Sequence, residues 1–430
     1  MTHSRFSVLM ILATASTSTG VAQTCDPQSL LDPDRAYSEG NQPTDIAVAD
    51  LNGDGLLDMV CSAVADGSGR DDLQIWYNSG AGRFCQPATG RAGQGPNAVA
   101  TGDLNNDGRP DIAISNGIDD TVSVFYYRDH LRVSGQQVYD VGTTPQDVAI
   151  GDVDLDGNAD IVSAHALSAD VSILYNNGDE TFEPEERLEG VAGAFYVSAH
   201  VADLTGDGVP DLVAAALSPG IVSIWPGQGS RSFGPRHDID VCDGPHQLAL
   251  VDLDLDGSLD LALTCRDDVA TLENKGGLSF APWQTIELPL RPSGITVADF
   301  DGDGHQDIAA TTGLDGLLRV LLNDGSGLVT EATSLFLSTD PNRIAAGDLN
   351  ADGTADIAAV TVGGLTPVFN RCGLPCEADL DGDGILTLFD FLEFQNRFAL
   401  EDARADLDSN CELTIFDFLV YQNLFAGGCP

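Results

Sequence analysis

Short apolar runs of about four to seven residues recur along the chain, broken by clusters of Gly, Asn and Asp. Runs such as "DIAVAD", "DVAIGD" and "QLALVD" come first, and an acidic cluster follows each. A second run then begins, as in "DMVCSAV", "DIAISN", "DIVSAH" or "DLALTC", and a third, as in "VSVFYY", "VSILYN" or "IVSIWP". A Gly-rich turn leads to a fourth segment, often opened by Phe: "GRFCQP", "ETFEPEE", "RSFGPRH", "LSFAPWQ". Short runs with turn residues at regular spacing read as β-strands.

The acidic cluster is the repeating unit. "DLNGDGLLD" starts at Asp50, "DLNNDGRPD" at Asp103, "DVDLDGNAD" at Asp152 and "DLTGDGVPD" at Asp203. "DLDLDGSLD" starts at Asp252, "DFDGDGHQD" at Asp299 and "DLNADGTAD" at Asp348. The spacings are 53, 49, 51, 49, 47 and 49 residues. Four strands per unit of that length describe a propeller blade, so the expected fold is all-β: a seven-bladed β-propeller of four-stranded antiparallel blades. A linear β-solenoid is the alternative, but its rungs rarely need four strands. The seventh unit stops after "LTPVFNRC" without a fourth strand, while "RAYSEGNQPTDIAV" near the start reads like "QVYDVGTTPQDVAI" at residues 137–150. The N-terminal strand is therefore expected to complete the last blade and close the ring, which removes free sheet edges.

Each nonapeptide places acids or amides at positions 1, 3, 5 and 9, with Gly at position 6 (Thr205 stands at position 3 of the fourth). Calcium takes six to eight oxygens, and alternate positions of a tight loop converge on one point. The position-7 backbone carbonyl completes the set, whatever the side chain. The candidate ligands are then Asp50, Asn52, Asp54, Leu56 and Asp58, followed by Asp103, Asn105, Asp107, Arg109 and Asp111. The third and fourth loops offer Asp152, Asp154, Asp156, Asn158 and Asp160, and Asp203, Thr205, Asp207, Val209 and Asp211. The fifth offers Asp252, Asp254, Asp256, Ser258 and Asp260, and the sixth Asp299, Asp301, Asp303, His305 and Asp307. The seventh offers Asp348, Asn350, Asp352, Thr354 and Asp356. Position 2 is Leu, Val or Phe throughout and is expected to point into the blade.

Composition sharpens this picture. The chain has 430 residues, Lys+Arg 19, Asp+Glu 67 and a formal net charge of −48. Such a charge argues against nucleic acid and anionic membrane as partners and fits divalent cations. Seven calcium ions would offset over half of the loops' carboxylates. Residues 1–22 have the form of a secretory signal: Arg5, an apolar core from Phe6 to Ala13, and small residues up to Ala22. No later stretch is long enough to span a membrane. An exported chain permits disulfides, and the nine cysteines leave at least one without an intrachain partner. Cys25–Cys372, Cys376–Cys429 and Cys242–Cys265 are the pairings considered.

Over about residues 31–372 these motifs resemble the FG-GAP or VCBS repeat proteins, which include the integrin α-subunit propeller. The resemblance implies that the loop joins strands one and two on the lower face and that its calcium is structural.

After residue 375 the pattern changes. "DLDGDGILTLFDFLEFQNRFA" from Asp379 is echoed by "DLDSNCELTIFDFLVYQNLFA" from Asp406. Asp379, Asp381, Asp383, Ile385, Thr387 and Asp390 fall at EF-hand loop positions 1, 3, 5, 7, 9 and 12. Asp406, Asp408, Asn410, Glu412, Thr414 and Asp417 do so in the second loop, where Cys411 replaces the turn glycine. Each loop leads into an aromatic-rich amphipathic helix. Residues 376–430 thus resemble a dockerin, a small α-helical calcium-binding module that docks onto cohesin-bearing partners. The calls are a signal at 1–22, a propeller at 23–375, and one or two further calcium ions in the last module.

No GxSxG, HExxH, phosphate-loop or dinucleotide motif is present in the sequence. On the propeller face opposite the calcium loops, Asn97, Gln146, His165, Tyr196, His246, Arg266, Asn342 and Arg343 are candidate ligand contacts. The reading is a secreted, non-enzymatic recognition or adhesion protein for an extracellular protein or glycan, tethered by its C-terminal module. A dockerin-borne carbohydrate-active enzyme and a structural surface-layer component are the alternatives.

Overall fold

The computed structural model describes residues 31–33, 36–37, 42–64, 72–80, 82–129, 132–288 and 291–370, together with Phe394 and Tyr421. Among these residues thirty strands form seven four-stranded antiparallel sheets and one small hairpin.

Blade 1 runs Gln42–Ala49, Asp58–Val64, Asp72–Asn78 and Phe84–Arg91. Blade 2 runs Pro96–Gly102, Asp111–Asn116, Thr121–Phe125 and Gln137–Asp140, with the hairpin Tyr127–Asp129 and Arg132–Val133 inserted before its outer strand. Blade 3 runs Pro145–Gly151, Asp160–His165, Asp170–Leu174 and Glu186–Glu189, and blade 4 Tyr196–Ala202, Asp211–Ala216, Ile221–Trp225 and His237–Asp240. Blade 5 is Gln247–Val251, Asp260–Thr264, Asp268–Asn274 and Phe280–Glu287, and blade 6 Pro292–Ala298, Asp307–Thr312, Leu317–Asn323 and Val329–Phe336. Blade 7 takes Ile344–Gly347, Asp356–Thr361 and Gly364–Asn370, and its outer strand is the N-terminal Leu31–Pro33.

The ring closes as the sequence predicts. Leu31, Asp32 and Pro33 pair with Asn370, Phe369 and Val368. Tyr37 bridges Leu365 with two backbone hydrogen bonds, of 2.7 and 2.8 Å. Its buried ring meets Trp76 and Phe84 of blade 1 edge-on, at 5.4 and 5.5 Å between centroids. One short segment therefore stitches the last blade and packs it against the first.

The second strands are mostly apolar and, apart from Val64 at the end of blade 1's, wholly buried, because both of their faces are covered by neighbouring blades. Seven apolar clusters result, one at each junction between adjacent blades, including the junction of blades 7 and 1. Every position-2 residue of the acidic loops is buried, as expected.

The outer strands depart from expectation in blades 3 and 4. Phe182 and Phe233 make isolated bridges, to Asn176 and Gly227, and the strands resume only at Glu186 and His237. Pro184 and Pro235 lie between, and proline has no N–H to give the ladder.

One register position, five residues before each loop, ties the inner strands of alternate pairs of blades. Asp45 Oδ2 accepts the Val99 N–H at 2.9 Å, Asp147 Oδ2 that of Ala199 at 2.9 Å, and Gln247 Oε1 that of Ile295 at 2.8 Å. Blades 2, 4 and 6 carry the small residues Ala98, Ser198 and Gly294 there. Seven is odd, so the alternation fails at the closing junction. There Arg343 of blade 7 stands 4.0 Å from Asp45.

Residues 1–30 and 371–430, apart from Phe394 and Tyr421, lie outside the described residues, as do Cys25, Cys372, Cys376 and Cys429. Phe394 and Tyr421 lie in helical backbone, are buried, and stack at 4.3 Å with an interplanar angle of 5°. Cys242 and Cys265 form a disulfide with Cα atoms 6.1 Å apart, and Cys61 is free and buried. Among the described residues no helix is long and apolar enough to cross a membrane.

Candidate metal loops and the opposite face

All seven acidic nonapeptides link a blade's inner strand to its second strand, so they share one face of the ring. Each folds the same way. In the first, Asp50 Oδ1 accepts the Gly53 and Asp54 N–H groups at 2.7 and 3.1 Å, and Oδ2 accepts that of Gly55 at 2.8 Å. Asn52 Oδ1 takes the Asp54 N–H at 2.8 Å, and Asp54 Oδ1 that of Leu56 at 2.9 Å. Position 6 is glycine with φ between 85° and 92° in every copy, a backbone region that costs other residues strain. Position 4 is also left-handed throughout, even where it is Leu155, Leu255 or Ala351. Leu155 and Leu255 are thereby thrust outward and exposed.

The winding brings carboxylates together. Oxygens of Asp152, Asp154 and Asp156, of Asp252, Asp254 and Asp260, and of Asp299, Asp301 and Asp303 lie within 4.8 Å of one another in each set. At the third loop Arg231 intrudes from blade 4, its Nε 2.6 Å from Asp154 Oδ2 and its guanidinium 4.3 Å over the Tyr175 ring.

Position 9 has a different environment from positions 1, 3 and 5. Asp307 is buried; its Oδ2 accepts the Phe300 N–H and its Oδ1 the Asn323 N–H, each at 2.8 Å. The same two brackets recur at Asp58, Asp111, Asp160, Asp211, Asp260 and Asp356. Desolvation raises these carboxyls to about 7 at Asp58, Asp111, Asp160, Asp307 and Asp356, against the lowering effect of the two N–H donors. The residues proposed for the C-terminal loops, from Asp379 to Asp390 and Asp406 to Asp417, lie outside the described residues.

The opposite face is formed by the turns after the second strands and the connectors between blades. It holds a cavity of about 360 Å³ at the mouth of the ring, between blades 5, 6, 7 and 1. His246 and Asn342 line it, with Arg291, Ser293, Asp340 and Gln42. His246 is half-buried, and its pKa is lowered by desolvation and then by Arg343 and Arg291. Arg343 is half-buried at the closing junction. Arg266 is exposed and pairs with Asp243 at 2.6 Å. Asn97 and Gln146 are half-buried, and Asn97 Nδ2 donates to the Pro145 carbonyl at 2.8 Å.

Two of the sequence candidates are not on an open surface. His165 is fully buried, with Nδ1 2.8 Å from Asp170 Oδ1. Tyr196 is fully buried in the junction of blades 3 and 4, its hydroxyl 2.8 Å from Ser223 Oγ. Each sits at a strand end, where counting alone places it at the rim; the adjoining connectors, through Gly142 and Gly190, pack directly onto these rings. Arg291 and Asp340 escaped the sequence reading because they lie in connectors without a repeated pattern. Ile118, Leu167, Leu314 and Val362 stand exposed on this same rim, in the turns after the second strands.

Comparison with known proteins bears on the fold. The family model described as FG-GAP-like repeat matches residues 50–114, 103–163, 152–214, 252–310 and 299–359, more than half of the chain. Each matched window opens on position 1 of an acidic loop and runs past the next one. No curated protein matches the chain. Among solved structures, BBS1N in complex with ARL6DN, soaked with lead, is 16% identical, with TM-score 0.55, over 79% of this chain and 95% of that one. The mercury-soaked form of that complex gives 15%, 0.56, 79% and 97%. A lectin of Agrocybe aegerita, described as specifically recognising non-reducing terminal N-acetylglucosamine, gives 21%, 0.51, 75% and 86%. At such identities the likeness is one of fold. With its loop-to-loop matches and its ring of seven blades, the chain belongs to the FG-GAP-like repeat family.

Proposed function

We propose that this protein is a secreted, calcium-stabilised recognition propeller without catalytic activity, tethered through its C-terminal module. The observation that carries the reading is the convergence of carboxylate oxygens within 4.8 Å in the third, fifth and sixth loops. The donor set fits calcium: it is made of hard oxygens only, with the position-7 carbonyl available to raise the ligand number. Positions 1, 3 and 5 would hold the ion, and position 9 would add a ligand in loops such as the fifth. When bound, the ion supplies positive charge that cancels the repulsion among these aspartates. About seven ions are expected in the ring.

Recognition is assigned to the face opposite the loops, where the cavity combines His246, Arg291 and Asn342 with exposed aliphatic residues at its rim. Its volume suits a small glycan or a peptide end. A glycosidase needs a pair of carboxylates, and among the described lining residues Asp340 alone carries one. For the tether, the stacked Phe394 and Tyr421 occupy equivalent places in the two 27-residue repeats, as expected of two pseudo-symmetric loop–helix units.

Two measurements test this reading on the full chain. Calorimetric titration with calcium after chelation should show several binding events; heats no larger than dilution would end the calcium assignment. Binding to glycan and peptide arrays should be lost in the double variant His246→Ala, Asn342→Ala while its melting temperature is kept. Retained binding would move recognition elsewhere.

A further inference from the structure

The acidic loops are not independent of one another. Near the end of the third strand, blades 1, 3, 5, 6 and 7 carry Asn78, Asn176, Asn274, Asn323 and Asn370, all buried. The backbone N–H of each donates to Oδ1 of its own blade's position-9 aspartate, at 2.7–2.8 Å. The side chain reaches the other way. Its Nδ2 donates to the position-2 carbonyl of the preceding blade's loop, at 2.6–3.0 Å: to Leu349, Leu104, Leu204, Leu253 and Phe300 respectively.

Position 2 lies between the candidate ligands at positions 1 and 3. Its N–H is held by its own position-9 aspartate and its carbonyl by the next blade's asparagine. With both ends held, the spread between the flanking donors is set from outside the loop. The asparagine Nδ2 also donates to the position-8 carbonyl of its own loop in four blades. A chain of hydrogen bonds therefore passes from loop to loop. It runs unbroken through blades 4, 5, 6, 7 and 1, across the ring closure, and separately through blades 2 and 3. It stops after blades 1 and 3, because blades 2 and 4 place Tyr127 and Gly227 where the asparagine would be.

We propose that these five asparagines are positioning residues for calcium, each setting the geometry of the preceding blade's loop and joining the seven loops into two coupled blocks. The proposal rests on the calcium reading above. Outer-shell partners of metal ligands commonly change affinity by about 10–100-fold when removed. Loops 2, 4, 5, 6 and 7 should thus depend on an asparagine of the next blade, while loops 1 and 3 should not; at loop 3 the neighbour that reaches across is Arg231 instead.

The test is hydrogen exchange by mass spectrometry on the full-length protein across a calcium titration. In Asn323→Ala, protection of residues 252–260 should need at least about tenfold more calcium, while residues 299–307, which lose only the bond to the Gln306 carbonyl, shift by less. Asn323→Asp keeps the size and the acceptor but loses the donor, and should behave like the alanine variant. If Asn323→Ala does not fold, Asn176→Ala asks the same question of residues 103–111. Wild-type calcium response at 252–260, or a loss confined to 299–307, overturns the proposal. A wild type with no calcium-dependent protection in any loop would defeat the calcium reading alone. Positioning would then be judged by metal-free exchange: faster exchange at 252–260 than at 299–307 in Asn323→Ala supports it, and equal exchange overturns it.

Discussion

Two aspartates four residues apart in the sixth loop have unlike surroundings. Asp307 is buried with two backbone N–H donors, whereas Asp303 is exposed. Asp307→Ala strands two buried amides, at roughly 1–3 kcal/mol each. Urea denaturation should show that loss with or without chelator, while Asp303→Ala should lower stability only when calcium is present. Equal behaviour of the two would show that position 9 is no bracket. Asp45 offers a pH handle. Burial, opposed by Arg343, raises its carboxyl from 3.8 to about 6. A raised value in the folded state means that the stabilisation is present in full below about pH 4 and fades as the pH climbs through 6. Asp45→Asn keeps an acceptor for the Val99 N–H and cannot ionise. Its stability relative to wild type should therefore rise between pH 4 and 7, by roughly 1–3 kcal/mol. A difference that stays flat with pH would refute the burial argument. At this scale the sequence displayed the loop positions but not their division of labour, because a ligand and a bracket both call for a carboxylate. The asparagines were visible too, in "YNSG", "YNNG", "ENKG" and "LNDG". Their partners lie 70–72 residues away for four of the five and 271 away for Asn78, separations that local pattern does not reveal.

Among the elements, the closing segment joins the last blade to the first. Tyr37→Ala removes a buried ring shared by blades 7 and 1 and should cost about 3–5 kcal/mol. The expected signature is a lower melting temperature together with earlier proteolysis near residues 31–37; an unchanged melt would mean that the ring is held closed elsewhere. The disulfide Cys242–Cys265 spans 23 residues and ties the connector that leads to His246. Reducing it should cost roughly 3 kcal/mol in the chain-entropy description, read from denaturation with and without thiol. The order of strands was legible because the repeat is long and its turns are marked by Gly, Asn and Asp. The hairpin at 127–133 and the split outer strands of blades 3 and 4 were not legible. Proline at Pro184 and Pro235 breaks a ladder, but sequence alone does not say how far the strand then retreats.

The molecule as a whole is a ring with twenty-four aspartates in the loops of one face and a net charge of −48. Chelation should lower its melting temperature by many degrees, and calcium should restore it. Raising sodium chloride should recover part of the loss in the chelated protein and little in the calcium-loaded one, because salt screens repulsion that the ions have not removed. The absence of any shift on chelation would refute the electrostatic account. Ring closure also orders events in time. The residue that Leu31 pairs with is Asn370, so the first strand of the ring has no partner until the last one has been made. During synthesis that strand waits through the emergence of six finished blades. Among the described residues, the meeting of these two ends is the strand pairing of greatest sequence separation, and it is expected to come late in refolding.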